Sequence, residues 1–199
     1  MAKNEQKIGW IGMGRMGFPM AERLLKAGYD VSIWNRTRAK AEPLAAKGGK
    51  VADKLADLAG VDVLFSIVST GKDLKEVYFG KDGVVTGRNG KLPKIFVDCS
   101  TIAVEDSADI REQLKALGAD FVAAPISGNA KVIKAGRLSS VISETAECRF
   151  LACCRPKLSV RFRRGSDDGA THLPLAPSAP SRAPLLKPAA GCHNDKPQS

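Results

Sequence analysis

Apolar positions in this chain come in short continuous blocks, separated by stretches in which apolar and polar residues mix. Lys7-Ile8-Gly9-Trp10-Ile11 predicts a short buried strand, and residues 18–28 read as a helix closed by a C-terminal glycine. Residues 29–35, rich in β-branched and aromatic side chains, predict a second strand. A helix over 39–47 is stopped by Gly48-Gly49, and 52–59 reads as a shorter helical segment. The nearly continuous apolar run 62–68 predicts a strand, 73–78 one or two helical turns, and 94–99 another buried strand. A long helix over 104–117 ends at Gly118, and 120–125 is a further strand. Unbroken apolar strands alternating with helices fit a parallel sheet covered on both faces, so the predicted fold class is α/β and doubly wound.

Between the first strand and the first helix lies Gly12-Met13-Gly14-Arg15-Met16-Gly17. Strand, glycine turn and helix in this order form the phosphate-binding turn of a Rossmann-like dinucleotide fold. Gly12 allows the tight turn, Gly14 lets a pyrophosphate approach the backbone, and Gly17 lets helix and strand pack closely. The helix N-terminus offers unpaired N–H groups and a positive dipole end. At the end of the second strand an Asp or Glu would hydrogen-bond a ribose and repel a 2′-phosphate. Here the residues are Asn35-Arg36-Thr37: a neutral amide, a guanidinium that forks onto phosphate, and a hydroxyl donor. They point to NADP, with NAD second; the alternative is a solvated basic loop.

Composition changes the picture only near residue 147. Residues 1–147 hold 22 Lys and Arg against 18 Asp and Glu, whereas 148–199 hold 9 against 3, so most of the net +10 belongs to the tail. That tail carries seven of the eleven prolines, one valine and no isoleucine. The expected division is a 1–147 NADP-binding domain and a 148–199 Arg/Pro/Ala-rich divergent tail without regular structure. The tail's abrupt bias also resembles translation out of frame, which the coding sequence tests. Arg161-Phe162-Arg163-Arg164 is a basic cluster with one aromatic, a thin basis for nucleic-acid binding, which is disfavoured. No apolar run reaches membrane-spanning length, the N-terminus lacks a secretory pattern, and five cysteines suggest no disulfide framework, so a cytoplasmic setting is expected. Cys148, Cys153 and Cys154 have no matching partners for a metal, His172 and His193 lie in the tail, and Cys99 reads as a packing residue. No metal is expected.

The stretch from Ile8 to Ala21 resembles the start of the β-hydroxyacid dehydrogenases, the group of 3-hydroxyisobutyrate dehydrogenase, tartronate semialdehyde reductase, glyoxylate/succinic semialdehyde reductase and 6-phosphogluconate dehydrogenase. Asp98-Cys99-Ser100-Thr101-Ile102 is similar to that family's strand-end motif, and Ala124-Pro125-Ile126-Ser127-Gly128-Asn129 with Gly136-Arg137-Leu138 to its substrate loop. The resemblance implies that Val68 and Ser69 lie along the cofactor and that Thr101 approaches the nicotinamide. It implies that Ser127, Gly128 and Asn129 hold a substrate carboxylate, although the family has a second glycine where this chain has Asn129. The implied reaction is hydride transfer between NADP(H) and a small 3-hydroxy acid or semialdehyde. The family's proton-transfer lysine follows a glycine pair in the pattern G-x-G-x-x-x-K-x-x-x-N. With Gly169 as the first glycine, the lysine position falls on Leu175 and the asparagine on Ala179; Lys187, the one lysine nearby, sits among prolines. No catalytic residue is therefore assigned. The expectation is a cofactor-binding half, truncated or divergent at its C-terminus, lacking the proton-transfer group and the helical second domain through which relatives assemble. The competing expectation is a non-catalytic dinucleotide-binding sensor or scaffold.

Overall fold

The computed structural model describes residues 6–88, 90–142 and 161–164. Six strands form one parallel sheet: β1 (Lys7–Ile11), β2 (Asp30–Trp34), β3 (Lys50–Val51), β4 (Val63–Ser66), β5 (Ile95–Asp98) and β6 (Asp120–Ala123). Their order is β3-β2-β1-β4-β5-β6, so the chain runs outward from β1 to one edge and then returns to build the other half. Helices α1 (Gly17–Lys26), α2 (Glu42–Ala45), α3 (Gly71–Phe79) and α4 (Val104–Ala116) make the crossovers. The α/β doubly wound class expected from the pattern is the class observed. Its strand order places a crevice beyond the carboxyl ends of β1 and β4, where the winding reverses.

The apolar runs are continuous because each central strand is covered on both sides. Trp10, Phe65, Val97 and Val122 point into a core shared with Met20 and Leu24 of α1. Their chain neighbours Ile11, Leu64, Phe96 and Phe121 point into a second core with Leu74 and Tyr78 of α3 and Ile110 and Leu114 of α4. This is the period-two alternation of a strand applied to two dry faces. Trp10 and Phe65 stand opposite each other in register and stack at 5.4 Å, while Tyr78 meets Phe96 edge-on at 5.0 Å.

Several elements differ from expectation. The helix predicted over 39–47 is a 3-10 turn (Arg38–Lys40) followed by the short α2. Pro43 is the cause: it lacks an N–H and is tolerated only in a first helical turn, so no helix runs through it from Ala39. The segment read as helical over 52–59 is a 3-10 turn, Leu55–Gly60. β3, two residues long, is too short to carry a periodic signal. After β6, where the resemblance implied a substrate loop, the chain forms β7 (Ile126–Ser127), α5 (Ala130–Lys134) and β8 (Ser139–Ile142). β7 and β8 pair antiparallel, and α5 packs on α1, where Arg23 Nη1 donates to the Lys134 carbonyl at 3.2 Å. Arg161–Arg164, read as a basic cluster, is strand β9, parallel to β8. The rest of the tail, including Cys148, Cys153, Cys154, His172, Leu175, Ala179, Lys187 and His193, lies outside the described residues. Among the described residues no helix is long and apolar enough to cross a membrane.

Candidate functional site

The turn after β1 is shaped by what a side chain would strike. Gly12 has φ +98°, and a Cβ there would sit 2.1 Å from the Ile67 carbonyl oxygen at the end of β4. A Cβ on Gly17 would sit 2.0 Å from the Gly12 carbonyl oxygen. Those two glycines let β1, β4 and α1 converge. Gly14 differs, since a Cβ built on it meets nothing within 4 Å. Its bareness serves no packing and leaves room over the backbone. Trp10 Nε1 donates to the Gly12 carbonyl at 3.0 Å, and the Gly12 N–H donates to the Trp34 carbonyl at 3.1 Å, fixing the turn on both flanks. The first turn of α1 carries no acidic residue and no side-chain cap. The Phe18 N–H is taken by the Gly14 carbonyl at 3.2 Å and Pro19 has none, so what this end offers an anion is chiefly the positive end of the helix dipole.

A cleft of about 480 Å³ opens above this turn, large enough for a small-molecule ligand. Gly12, Gly14, Arg15, Met16 and Gly17 form its floor, Asn35, Arg36 and Thr37 one end, and Val68 and Ser69 the wall past β4. Ten of the twelve positions expected to touch a cofactor thus come together. Met13 braces the turn instead: its side chain is buried, and its N–H donates to Asn35 Oδ1 at 2.8 Å. Asn35 Nδ2 donates in turn to the Thr37 carbonyl at 2.8 Å, so this side chain ties the glycine turn to the end of β2. Thr101 is exposed and is not among the residues lining the cleft.

Ser127, Gly128 and Asn129 are exposed and also stand outside that lining. Asn129 Oδ1 accepts from the N–H groups of Lys131 and Val132 at 3.0 and 3.1 Å, so it caps α5. Asn129 thus has a local structural use, its Oδ1 being engaged with α5.

Sequence reasoning missed much of the opposite wall. Leu55, Lys40 and, from α3, Asp73, Glu76 and Val77 line the cleft, with Asp82 and Gly83 beyond them. Lys40 lies one turn past Thr37, a signal the sequence did carry. The α3 residues have none, because the sheet order alone brings α3 against the end of β2. Arg36 is largely exposed, with Nη1 3.7 Å from Asp73 Oδ1 across the cleft. Arg15, Arg36 and Lys40 therefore face three carboxylates, and Arg36 already has one as a weak partner.

Beneath the β4 and β5 ends lies a buried polar cluster. Tyr78 and Ser66 hydroxyls are 2.8 Å apart, and Ser66 Oγ donates to Asp98 Oδ1 at 2.8 Å. Ser100 Oγ donates to the same oxygen at 2.7 Å and accepts from the Val68 N–H at 2.9 Å. Burial pushes the Asp98 carboxyl above the ordinary carboxylate range, opposed by the hydrogen bonds from Ser100 and Ser66. Burial, and then the Asp98 charge, raise the Tyr78 hydroxyl and the Cys99 thiol as well, so Cys99 is an inert packing group. A raised carboxyl means that the folded chain holds this proton more tightly than the unfolded chain does. Its stabilising contribution is complete below the ordinary carboxylate pKa and is lost as pH rises through the raised value. Asp98→Asn cannot ionise, so it should gain stability relative to the unaltered chain as pH rises from about 4 to about 8. Paired urea midpoints measure this; a difference independent of pH would contradict it.

Glycine turn, uncapped helix end and switch-point cleft together define a dinucleotide-binding α/β domain. The family model described as the NAD binding domain of 6-phosphogluconate dehydrogenase matches residues 7–152. The chain belongs to that family, and its cleft is that of a nicotinamide dinucleotide binder. It is 40% identical over 132 residues to glyoxylate/succinic semialdehyde reductase 2 of Arabidopsis thaliana, covering 66% of this chain and 36% of that protein. The structure of Psf3 in complex with NADP+ and 2-OPP superposes with a TM-score of 0.68 at 30% identity, covering 79% of this chain and 56% of that one. The 3-hydroxyisobutyrate dehydrogenase of Salmonella typhimurium gives a TM-score of 0.70 at 25% identity over 80% of this chain and 56% of that one. The chain spans between about a third and just over half the length of these proteins.

Proposed function

We propose that this chain binds NADP in preference to NAD and supplies the cofactor half of an oxidoreductase acting on a small 3-hydroxy acid or semialdehyde. The observation that carries the cofactor preference is the end of β2, where no carboxylate stands at the ribose position. Asn35 is neutral and turned back onto Met13, while Arg36, Thr37 and Lys40 face the cleft. A 2′-phosphate brings up to two negative charges and would draw the Arg36 guanidinium from Asp73 into a charge-assisted pair. The residues present fit the group: Gly14 is open, α1 presents the positive end of its dipole, and Val68 and Ser69 bound the path toward β5. When bound, the nicotinamide supplies hydride to a carbonyl or takes it from a hydroxyl-bearing carbon.

Arg36→Ala tests the preference. Loss of a charge-assisted hydrogen bond costs about 1.5–3 kcal/mol, so NADP+ affinity should fall by roughly ten- to a hundredfold while NAD+ affinity stays within about twofold. Equal losses for both cofactors would contradict the assignment. Turnover needs a group that exchanges the hydroxyl proton, and with Gly169 taken as the first glycine of the family pattern its lysine position falls on Leu175. The reading is thus of binding without turnover by the chain alone. Sustained NADPH oxidation by the purified chain with a small semialdehyde would overturn that part and leave the binding proposal standing.

A further inference from the structure

The buried cluster around Asp98 ends at the cofactor cleft. Backbone pairing accounts for the wall only as far as Ile67, whose N–H donates to the Ile11 carbonyl at 3.0 Å, and Cys99, whose N–H donates to the Ser66 carbonyl at 2.8 Å. At the next residue the strand leaves the sheet. The Val68 N–H is then held by Ser100 Oγ at 2.9 Å, and Ser100 is oriented by its bond to Asp98 Oδ1. Asp98 is 1% exposed, and a buried carboxylate is costly unless its hydrogen bonds serve it well. Here Ser66 and Ser100 both donate to one oxygen, and Tyr78 joins the chain from α3, so three elements converge on the point where the wall begins.

The sheet order says which half of a dinucleotide this wall meets. Asn35, Arg36 and Thr37 mark the adenosine end at β2; β1 lies between, and β4 and β5 lie on the far side. We infer that Asp98 is a positioning residue that acts through Ser100 on the Val68 N–H, holding the wall against the nicotinamide-side half of the bound dinucleotide. The inference rests on the dinucleotide reading above and assigns one buried residue a role within it.

The test compares NADP+ with 2′,5′-ADP, a fragment confined to the adenosine end, by titration of the full chain, with hydrogen exchange at the Val68 amide as a ligand-free readout. Ser100→Ala should speed exchange at Val68 and weaken NADP+ by about three- to tenfold, as expected for one lost hydrogen bond, while 2′,5′-ADP stays within about twofold. Asp98→Ala should do at least as much, and Asp98→Asn, which keeps an acceptor oxygen, should restore NADP+ binding. Should Asp98→Ala fail to fold, Ser100→Ala and Asp98→Asn still decide the matter. Equal loss of both ligands in Ser100→Ala, or unchanged exchange at Val68, would overturn the positioning role. An unaltered chain that binds neither ligand, with Val68 exchange still set by Ser100, would instead overturn the dinucleotide reading.

Discussion

Gly12→Ala is expected to unfold the nucleotide end of the sheet. The added methyl would lie 2.1 Å from the Ile67 carbonyl oxygen, a backbone atom with nowhere to go, on a residue at φ +98°. A left-handed L-residue costs roughly 1–2 kcal/mol and overpacking roughly 1–3 kcal/mol, which together are a large part of a domain's total of about 5–15 kcal/mol. For a domain of this size the melting temperature should fall by about 5–15 °C. Dinucleotide binding should be lost with it, because Gly12 is held by both Trp10 and Trp34. An unchanged melting temperature would show that the turn is not packed as described.

Gly14→Ala should separate binding from folding. Nothing lies within 4 Å of the methyl, and Gly14 is not among the positive-φ glycines, so the melting temperature should stay within about 2 °C. The methyl would nevertheless occupy the space above the turn that a pyrophosphate needs. NADP+ affinity should fall by roughly ten- to a hundredfold, the equivalent of overpacking by about 1–3 kcal/mol. Calorimetric titration beside a thermal melt checks both halves. Intact affinity would mean that the phosphates do not cross the turn at Gly14.

These two glycines also show why so much of the site was legible in the sequence. Gly12 meets a steric demand that only glycine satisfies, and Gly14, with nothing within 4 Å of an added Cβ, marks open space over the turn, so residue identity reports geometry. β1, β4 and β5 were legible for a similar reason, since burial on two faces leaves an unbroken apolar run. Legibility failed where the cause lay elsewhere. β3, β7 and β8 are two to four residues long and draw their order from pairing partners rather than from a pattern. The helix expected over 39–47 is broken by Pro43, whose missing N–H confines it to a first helical turn. Asp73 and Glu76 reach the cleft because β4 pairs with β1, a tertiary fact with no trace at their own positions. The Oδ1 of Asn129 caps a five-residue helix, too short to carry a periodic signal in the sequence. The sequence shows Asp98 only as part of a motif; its burial and its path through Ser100 to Val68 depend on the fold.

This chain is expected to hold a nicotinamide dinucleotide at the glycine turn and to favour the phosphorylated form through Arg36. Titration of the unaltered chain with NADP+ and with NAD+, at one salt concentration, tests it most directly. Saturable one-site binding with NADP+ at least about tenfold tighter is the predicted result, matching one charge-assisted contact to the 2′-phosphate. Tighter binding of NAD+, or no saturable binding of either, would contradict it.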